Sequence, residues 1–482
     1  MNQNLQSRVR AGLCWSVMQS WGVKGLNLLL YLILARLLSP AEFGIAAAVA
    51  LVLLLQQLVS EFGFSEALIQ RGTLSNKDVT LPFAVGMGTS IGLSLLLALF
   101  AGQIGALINV PGLAPYLVVA SLFSPLATAT AFQEALYKRD LDFKPLAIRQ
   151  LVALTVSGVV GVSCALAGLG AWSLIIQTAV FTVVSLIWLW RKPRWLPSRQ
   201  HDWLSFRSLA RFGTSVVSTR LIDFGATRSI DFLVASTHGV AALGLYTLGA
   251  KLYQTAMELL FRAFMDVSLS ALSKLAHDRS RLRETYRRVV STSSLFGTPI
   301  FFAMAALSPE ITHLLFGAKW AGSEAIMAAL MLLGGIQCIQ FANGPYFSAI
   351  GKPHLTLWLT LIKLAAVVPV LTLIDSGNVA EMVNLYVYAL LFVTPFSYLL
   401  LSRELDIRLR DIARWIAPGL LSAGIAYGSV GMARVSLAGH GLHPAWALLA
   451  FGTLYATVHA ALAMLTARSS VHETARLIRR SA

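Results

Sequence analysis

Thr80-Leu-Pro-Phe-Ala-Val-Gly-Met-Gly-Thr-Ser-Ile-Gly-Leu-Ser-Leu-Leu-Leu-Ala-Leu-Phe-Ala-Gly-Gln-Ile-Gly-Ala-Leu-Ile108 runs for 29 residues without a charged side chain. A helix of that length rises far enough to cross the roughly 30 Å hydrocarbon core of a bilayer with some tilt. It would also satisfy its backbone groups internally, as lipid requires. Comparable apolar runs recur on either side, from Ala11 to Leu465. Hydrophobic residues are 56% of the 482 positions and charged residues only 12%, which leaves no stretch for a sizeable soluble domain.

Breaking these runs at Pro, Gly and charge clusters places helices near 12–38, 43–63, 80–108, 113–136, 146–168, 170–190, 209–236, 240–267, 288–307, 321–350, 353–374, 381–402, 413–433 and 443–466. The expected class is an all-α, polytopic membrane protein of about fourteen transmembrane helices. Arg8 and Arg10 resemble the start of a signal peptide, but the apolar run after them is too long and leads directly into further spans. With the N-terminus inside, the loops assigned to the cytoplasm hold most of the Lys and Arg, including Lys138, Arg139, Lys144, Arg191, Lys274, Arg281, Arg408, Arg410 and Arg479. The opposite side holds Arg36, Lys319 and Arg434. That asymmetry predicts an even number of spans with both termini cytoplasmic.

The net charge of +16 does not indicate nucleic acid, because the basic residues sit in short loops between spans and form no single surface with polar or aromatic contacts. Attraction to anionic membrane lipid accounts for most of them. Cys14, Cys164 and Cys338 stand singly in apolar runs, so neither a disulfide framework nor a zinc site is expected. There is no His-Glu-x-x-His and no Gly-x-x-x-x-Gly-Lys-Ser/Thr, so metalloprotease and P-loop ATPase lose their signatures and no metal or cofactor is expected. Gly86, Gly88 and Gly92 lack the dinucleotide spacing and read as close helix packing.

At an offset of 200 residues, Ala35, Ala41, Gly44 and Ala50 fall on Ala235, Ala241, Gly244 and Ala250, and Phe64 on Phe264. Six helices separate the copies, so the repeat would be parallel, with its pseudo-twofold axis along the membrane normal. This divides the chain into an N-terminal six-helix lobe (1–200), a second six-helix lobe (201–405) and two further helices with a basic tail (406–482). The repeat places the substrate path between helices 1 to 6 and 7 to 12.

An ionisable group at mid-membrane costs at least about 2.5–3.5 kcal/mol and so marks a candidate site. On the seventh helix Arg220, Asp223, Thr227, Arg228 and Asp231 share an arc of about 140°. On the eighth, Lys251, Gln254, Thr255, Glu258, Arg262 and Asp266 share about 120°. The first helix adds Ser16, Ser20, Lys24, Asn27 and Tyr31 on one side, and Lys363 lies deep in the eleventh. Arg228 with Asp231, or Glu258 with Arg262, could simply neutralise each other and pin helices together. Yet Lys24, Arg220, Arg228, Lys251, Arg262 and Lys363 outnumber Asp223, Asp231 and Glu258, and a buried cationic surplus calls for an anion such as a phosphate. The acids would pair the bases in the empty site or bind a coupling H+ or Na+. Pro125, Pro299, Pro345, Pro369 and Pro395 lie within spans, where each can kink a helix.

Three motifs carry a family resemblance: Ala35-Arg-Leu-Leu-Ser-Pro-Ala-Glu-Phe-Gly44, Phe62-Gly-Phe-Ser-Glu-Ala-Leu-Ile-Gln-Arg71 and Tyr137-Lys-Arg-Asp-Leu-Asp-Phe-Lys-Pro-Leu-Ala147. Arg228-Ser-Ile-Asp231, Leu243-Gly-Leu-Tyr246, Arg281-Leu-Arg-Glu-Thr-Tyr286 and Leu314-Leu-Phe-Gly-Ala-Lys-Trp320 extend it. In order and spacing they resemble the polysaccharide transporters of the Wzx type, in the superfamily that also holds lipid II flippases and multidrug and toxin extruders. Ser270 and Ala235-Ser236 depart from the usual pattern in local backbone shape and leave the class intact. The resemblance implies a bacterial inner-membrane flippase, not an enzyme. It would carry polyprenyl-diphosphate-linked oligosaccharide from the cytoplasmic to the periplasmic leaflet by alternating access, with a polysaccharide polymerase and glycosyltransferases as neighbours. It selects Arg228 and Asp231 as the family's Arg-x-x-Asp. A lipid II flippase would fit the cations equally well, and a drug extruder would prefer acids and aromatics. A membrane polymerase or ligase would need extracytoplasmic catalytic surface, which the short loops on that side do not offer.

Overall fold

The computed structural model describes residues 22–71, 74–200, 202–274, 279–352, 354–437 and 443–466; the side chains of 261–274 and of Ala349 fall outside that description. Cys14, Ser16, Ser20, Arg262 and Asp266 therefore lie outside the described side chains, as does Ser270. The described residues form helices and no strand. Twelve helical segments among them are long and apolar enough to cross a membrane, so the chain is a multi-pass membrane protein.

The chain divides into two compact units, Met1–Gly244 and Leu245–Ala482. The first holds α1 (22–37), α2 (Pro40–Glu61), α3 (Phe64–Gln70), α4 (Asn76–Leu107), α5 (Leu113–Leu122), α6 (Ser124–Arg139), α7 (Phe143–Leu166), α8 (Trp172–Trp190) and the start of α9 (Trp203–Lys274). The second holds the rest of α9, then α10 (Arg279–Thr292), α11 (Thr298–Ala306), α12 (Ser308–Leu315), α13 (Ser323–Gln340), α14 (Asn343–Ala349), α15 (His354–Leu373), α16 (Val379–Leu405), α17 (Leu409–Leu437) and α18 (Pro444–Thr466).

Several spans drawn as single helices are broken, and prolines mark the breaks. The span expected at 113–136 is interrupted at Phe123, where Pro125 starts α6 without needing a backbone N–H. The span at 288–307 passes through a π-turn, Ser293–Gly297, before Pro299 in the first turn of α11. Pro345 lies in the short α14 that ends the span at 321–350, whereas Pro369 and Pro395 stay inside α15 and α16. α9 carries its break at Gly239 (φ 81°, ψ −176°), a left-handed conformation that favours glycine. The loop expected around 308–319 is folded into α12 and a short 3-10 turn, Ala318–Trp320.

In the first unit, Ser39-Pro-Ala-Glu starts α2 with a capping box: Ser39 N donates to Glu42 Oε2 (2.6 Å), and Ser39 Oγ accepts from Glu42 N (3.4 Å). This end of α2 meets α9 backbone to backbone. A Cβ on Gly44 would lie 1.8 Å from Val240 O, and one on Gly244 would lie 1.8 Å from Pro40 O. The contact is reciprocal across the 200-residue offset, since Pro40 meets Gly244 and Gly44 meets Val240. At the other end of α2, Phe62 (φ 45°) and Gly63 (φ 66°) turn the chain into α3, and a Cβ on Gly213 would lie 2.2 Å from Phe62 O. α2 and this part of α9 thus run antiparallel and meet at both ends of α2. Phe64, Leu68, Phe132, Trp195 and Leu209 close the core beside that turn. Of the three glycines read as packing sites, only Gly86 meets a neighbour, Phe132; Gly88 and Gly92 face open space, which corrects that expectation for both.

In the second unit, α17 is held at both ends. Gly419 is close against the π-turn, where a Cβ would lie 2.2 Å from Ser294 O, and Ser294 Oγ donates to Ile416 O (2.7 Å). Toward its C-terminus Arg434 donates from Nη2 to both oxygens of Glu310 (3.0 and 2.8 Å) and to Ala306 O (2.7 Å), and its guanidinium lies over the Phe451 ring. A buried polar chain links three helices: Tyr286 OH donates to Asn343 Oδ1, and Asn343 Nδ2 donates to Ser397 Oγ, each at 2.8 Å. Cys338 is buried and Cys164 half-buried, both as free thiols.

Candidate functional site

The stripe read on the seventh helix is the part of α9 that belongs to the first unit, and its residues differ in setting. Asp231 is buried, Arg228 half-buried, and Arg220 and Asp223 exposed. Arg228 Nη1 donates to Asp231 Oδ2 (3.0 Å), the i,i+3 pairing that helical spacing permits. Arg220 reaches away from its own helix to α3, where its guanidinium pairs with Glu66. Asp223 has no ion-pair partner among the described residues.

Around Glu66 the structure gathers a charged cluster from five helices. Glu61, at the end of α2, accepts from Gln57 Nε2 (2.8 Å) and lies within electrostatic reach of Glu66, Arg220 and Glu134. Glu134 on α6 accepts from Lys138 Nζ (2.8 Å) and from Arg149 Nη1 on α7 (2.7 Å). Three carboxylates therefore meet three cations. The bonding is incomplete, for Glu66 Oε2 and Arg149 Nε are buried with no hydrogen-bond partner among the described residues. Buried polar atoms of that kind call for a ligand, an ion or water. Arg71, at the end of α3, extends the polar line toward Ser205 and Asp78.

The other residues selected from sequence are dispersed. Lys24 is half-buried on α1, beside the small core of Val23, Leu30 and Leu154. Lys251 is half-buried and Glu258 exposed, both on the part of α9 in the second unit; Lys363 is half-buried on α15. Lys251 has no ion-pair partner among the described residues. Arg262 lies outside the described side chains, so its expected pairing with Glu258 does too.

Sequence reading selected Arg220 and Arg228 but missed Glu61, Glu66, Glu134 and Arg149. Glu66 was in view as part of a motif, but nothing in helical spacing ties it to Arg220, 154 residues away. Glu134 and Arg149 escaped the mid-membrane criterion because they fall near the ends of the expected spans 113–136 and 146–168, where an ionisable group costs less. Their presence reduces the cationic surplus counted from sequence, because Arg220 is already matched by a carboxylate.

Against this geometry, residues 33–325 match a family model described as polysaccharide biosynthesis protein. The chain is 25% identical over 394 residues to the succinoglycan biosynthesis transport protein ExoT of Rhizobium meliloti, covering 81% of this chain and 79% of the relative. It is 21% identical over 379 residues to the lipopolysaccharide biosynthesis protein WzxC of Escherichia coli, covering 77% and 76%. Among solved structures, the lipid II flippase MurJ in an inward closed conformation superposes with a TM-score of 0.72 at 14% identity, over 95% of this chain and all of that one. An inward-facing multidrug transporter of the MATE family superposes with a TM-score of 0.57, also at 14% identity, over 80% of this chain and 94% of that one. These two likenesses establish a shared fold. With the family match extending over more than half of its length, this multi-pass membrane chain belongs to the polysaccharide biosynthesis protein family.

Proposed function

We propose that the chain is a flippase that moves an oligosaccharide linked to polyprenyl diphosphate from the cytoplasmic to the periplasmic leaflet of a bacterial inner membrane, by alternating access, for export of a surface polysaccharide. The observation that carries this reading is the ionisable line of α3 and α9, Glu66 with Arg220 and Asp231 with Arg228, inside a chain otherwise composed for lipid. Membership in a polysaccharide biosynthesis family, and relatives named for succinoglycan transport and lipopolysaccharide biosynthesis, support the substrate class.

The chemistry follows from competition for the arginines. A diphosphate offers oxygens that a guanidinium binds in the same fork geometry as a carboxylate, with more charge. As it engages Arg220, Glu66 is released, and the acids of this cluster, Glu66, Glu61 and Glu134, are the candidate sites for a coupling proton or sodium ion. Re-formation of the Glu66–Arg220 pair expels the diphosphate. Both termini lie in the cytoplasm in this scheme, and a polysaccharide polymerase and glycosyltransferases act on either side of the transport step.

Cells depleted of the protein test this. Wild type should restore lipid-linked oligosaccharide to the periplasmic face, while Arg220→Ala and Arg228→Ala, inserted at normal levels, should leave it on the cytoplasmic side. If depletion does not alter the distribution of that lipid, the substrate assignment fails.

A further inference from the structure

α16 and α17 are both membrane spans, joined by the short 406–408 turn, and they leave between them an apolar cavity of about 490 Å³. Tyr398 and Leu399 of α16 and Ile412, Ile416 and Leu420 of α17 form its wall. The hydroxyl of Thr394, also in the wall, accepts from Gln340 Nε2 (2.7 Å) and donates to Leu390 O (3.2 Å), so the cavity presents no unmet polar group there. Its base is the packed cluster that includes Leu401, Leu405 and Ile412. An apolar hollow on the flank of a membrane span favours hydrocarbon, each buried methylene contributing about 0.8 kcal/mol.

The charge at one end of the groove identifies which lipid. Arg403, Arg408, Arg410 and Arg414 are all exposed, and none has a side-chain partner among the described residues. The groove residues of α17 run from Leu409 to Leu421 and, at 100° per residue, cover an arc of about 180°; Arg410 falls within it and Arg414 about 20° outside it. The acids nearby are turned away or engaged: Asp411 falls about 80° beyond that arc, and Asp406 accepts from Arg283 (3.1 Å). Lys352 and Glu404 neutralise each other (2.7 Å). The groove thus joins an apolar channel to a net positive rim, on the side that the Lys and Arg distribution assigns to the cytoplasm. A zwitterionic headgroup would leave that charge unmatched.

We propose that this groove is a binding site for an anionic phospholipid, its acyl chains between α16 and α17 and its phosphate on Arg410 and Arg414, with Arg403 and Arg408 beside them. It lies within the second unit, and none of the ionisable residues assigned to transport lines it. The proposal therefore does not rest on the proposed substrate or on the residues assigned to it.

Native mass spectrometry of the full-length protein in detergent, titrated with phosphatidylglycerol or phosphatidylcholine, tests it. Phosphatidylglycerol should be retained preferentially. Removing a basic residue at a membrane surface weakens attraction about fivefold, so R410Q/R414Q should lower that affinity roughly 30-fold. Ala417→Trp, which fills the groove and keeps every arginine, should also abolish the preference. Equal retention of both lipids, or wild-type retention by both variants, overturns the proposal. So does displacement of phosphatidylglycerol by an equal concentration of polyprenyl phosphate, which would assign the groove to the transported lipid.

Discussion

Gly44→Ala offers a sharp test of how α2 and α9 are joined. A methyl group at this position would start 1.8 Å from Val240 O, and ordinary contact begins near 3.4 Å, so the crossing must open by about 1.6 Å. A gap of that size forfeits more than half of the van der Waals attraction between the facing atoms. Forced overpacking of this kind costs about 1–3 kcal/mol. At about 2 kcal/mol, a unit of this size should melt roughly 4–8 °C lower. The assay is thermal unfolding of purified protein in detergent, with Gly88→Ala as control, because a Cβ there meets nothing within 4 Å. The control should melt at or slightly above wild type, since alanine favours a helix by about 1 kcal/mol over glycine. Gly244→Ala should reproduce the Gly44→Ala loss, and the double variant should cost less than the two singles together, because both act on one crossing. Wild-type melting of Gly44→Ala would refute the close approach.

In the second unit, Glu310→Gln should destabilise by about 1–3 kcal/mol, read by the same unfolding assay, because Arg434 loses a bidentate partner that is itself buried. Asn343→Ala should cost a similar amount by stranding Tyr286 OH and Ser397 Oγ, whereas a Tyr286→Phe background should reduce that penalty. For the α3–α9 pair, Glu66→Arg with Arg220→Glu should recover part of the folding stability lost in either single variant. Export of lipid-linked oligosaccharide should stay low in the swapped protein, because the cation would then sit on α3.

Much of the membrane architecture was legible because lipid imposes a simple rule on composition and length. The break at Gly239 fell inside the expected boundary between the seventh and eighth spans, where His238-Gly-Val240 interrupts the apolar run. Interruptions inside spans were harder to read. Pro125 and Pro299 were identified as kink points, yet whether a proline bends a helix or starts a new one depends on tertiary packing that hydropathy does not record. For the candidate site, Arg228 and Asp231 were legible as a pair because three residues along a helix bring side chains together. Arg220 with Glu66, and Glu134 with Arg149, were not, because each pair joins different helices. Gly44 and Gly244 were noticed as a repeat, but their packing role emerged only from the backbones they face. Gly88 shows the limit of the same reading, since an identical residue two positions from Gly86 touches nothing.

The most direct test of transport is the movement of a fluorescent polyprenyl-diphosphate oligosaccharide across vesicles containing only this protein, followed by a quencher that cannot cross the membrane. Wild-type vesicles should make the label on both leaflets accessible over time, faster when an ion gradient is imposed, while Arg220→Ala vesicles with equal protein content should expose only the outer leaflet. Label that stays inaccessible in wild-type vesicles under every gradient, or that moves equally fast with Arg220→Ala, would contradict transport through the α3–α9 charged line.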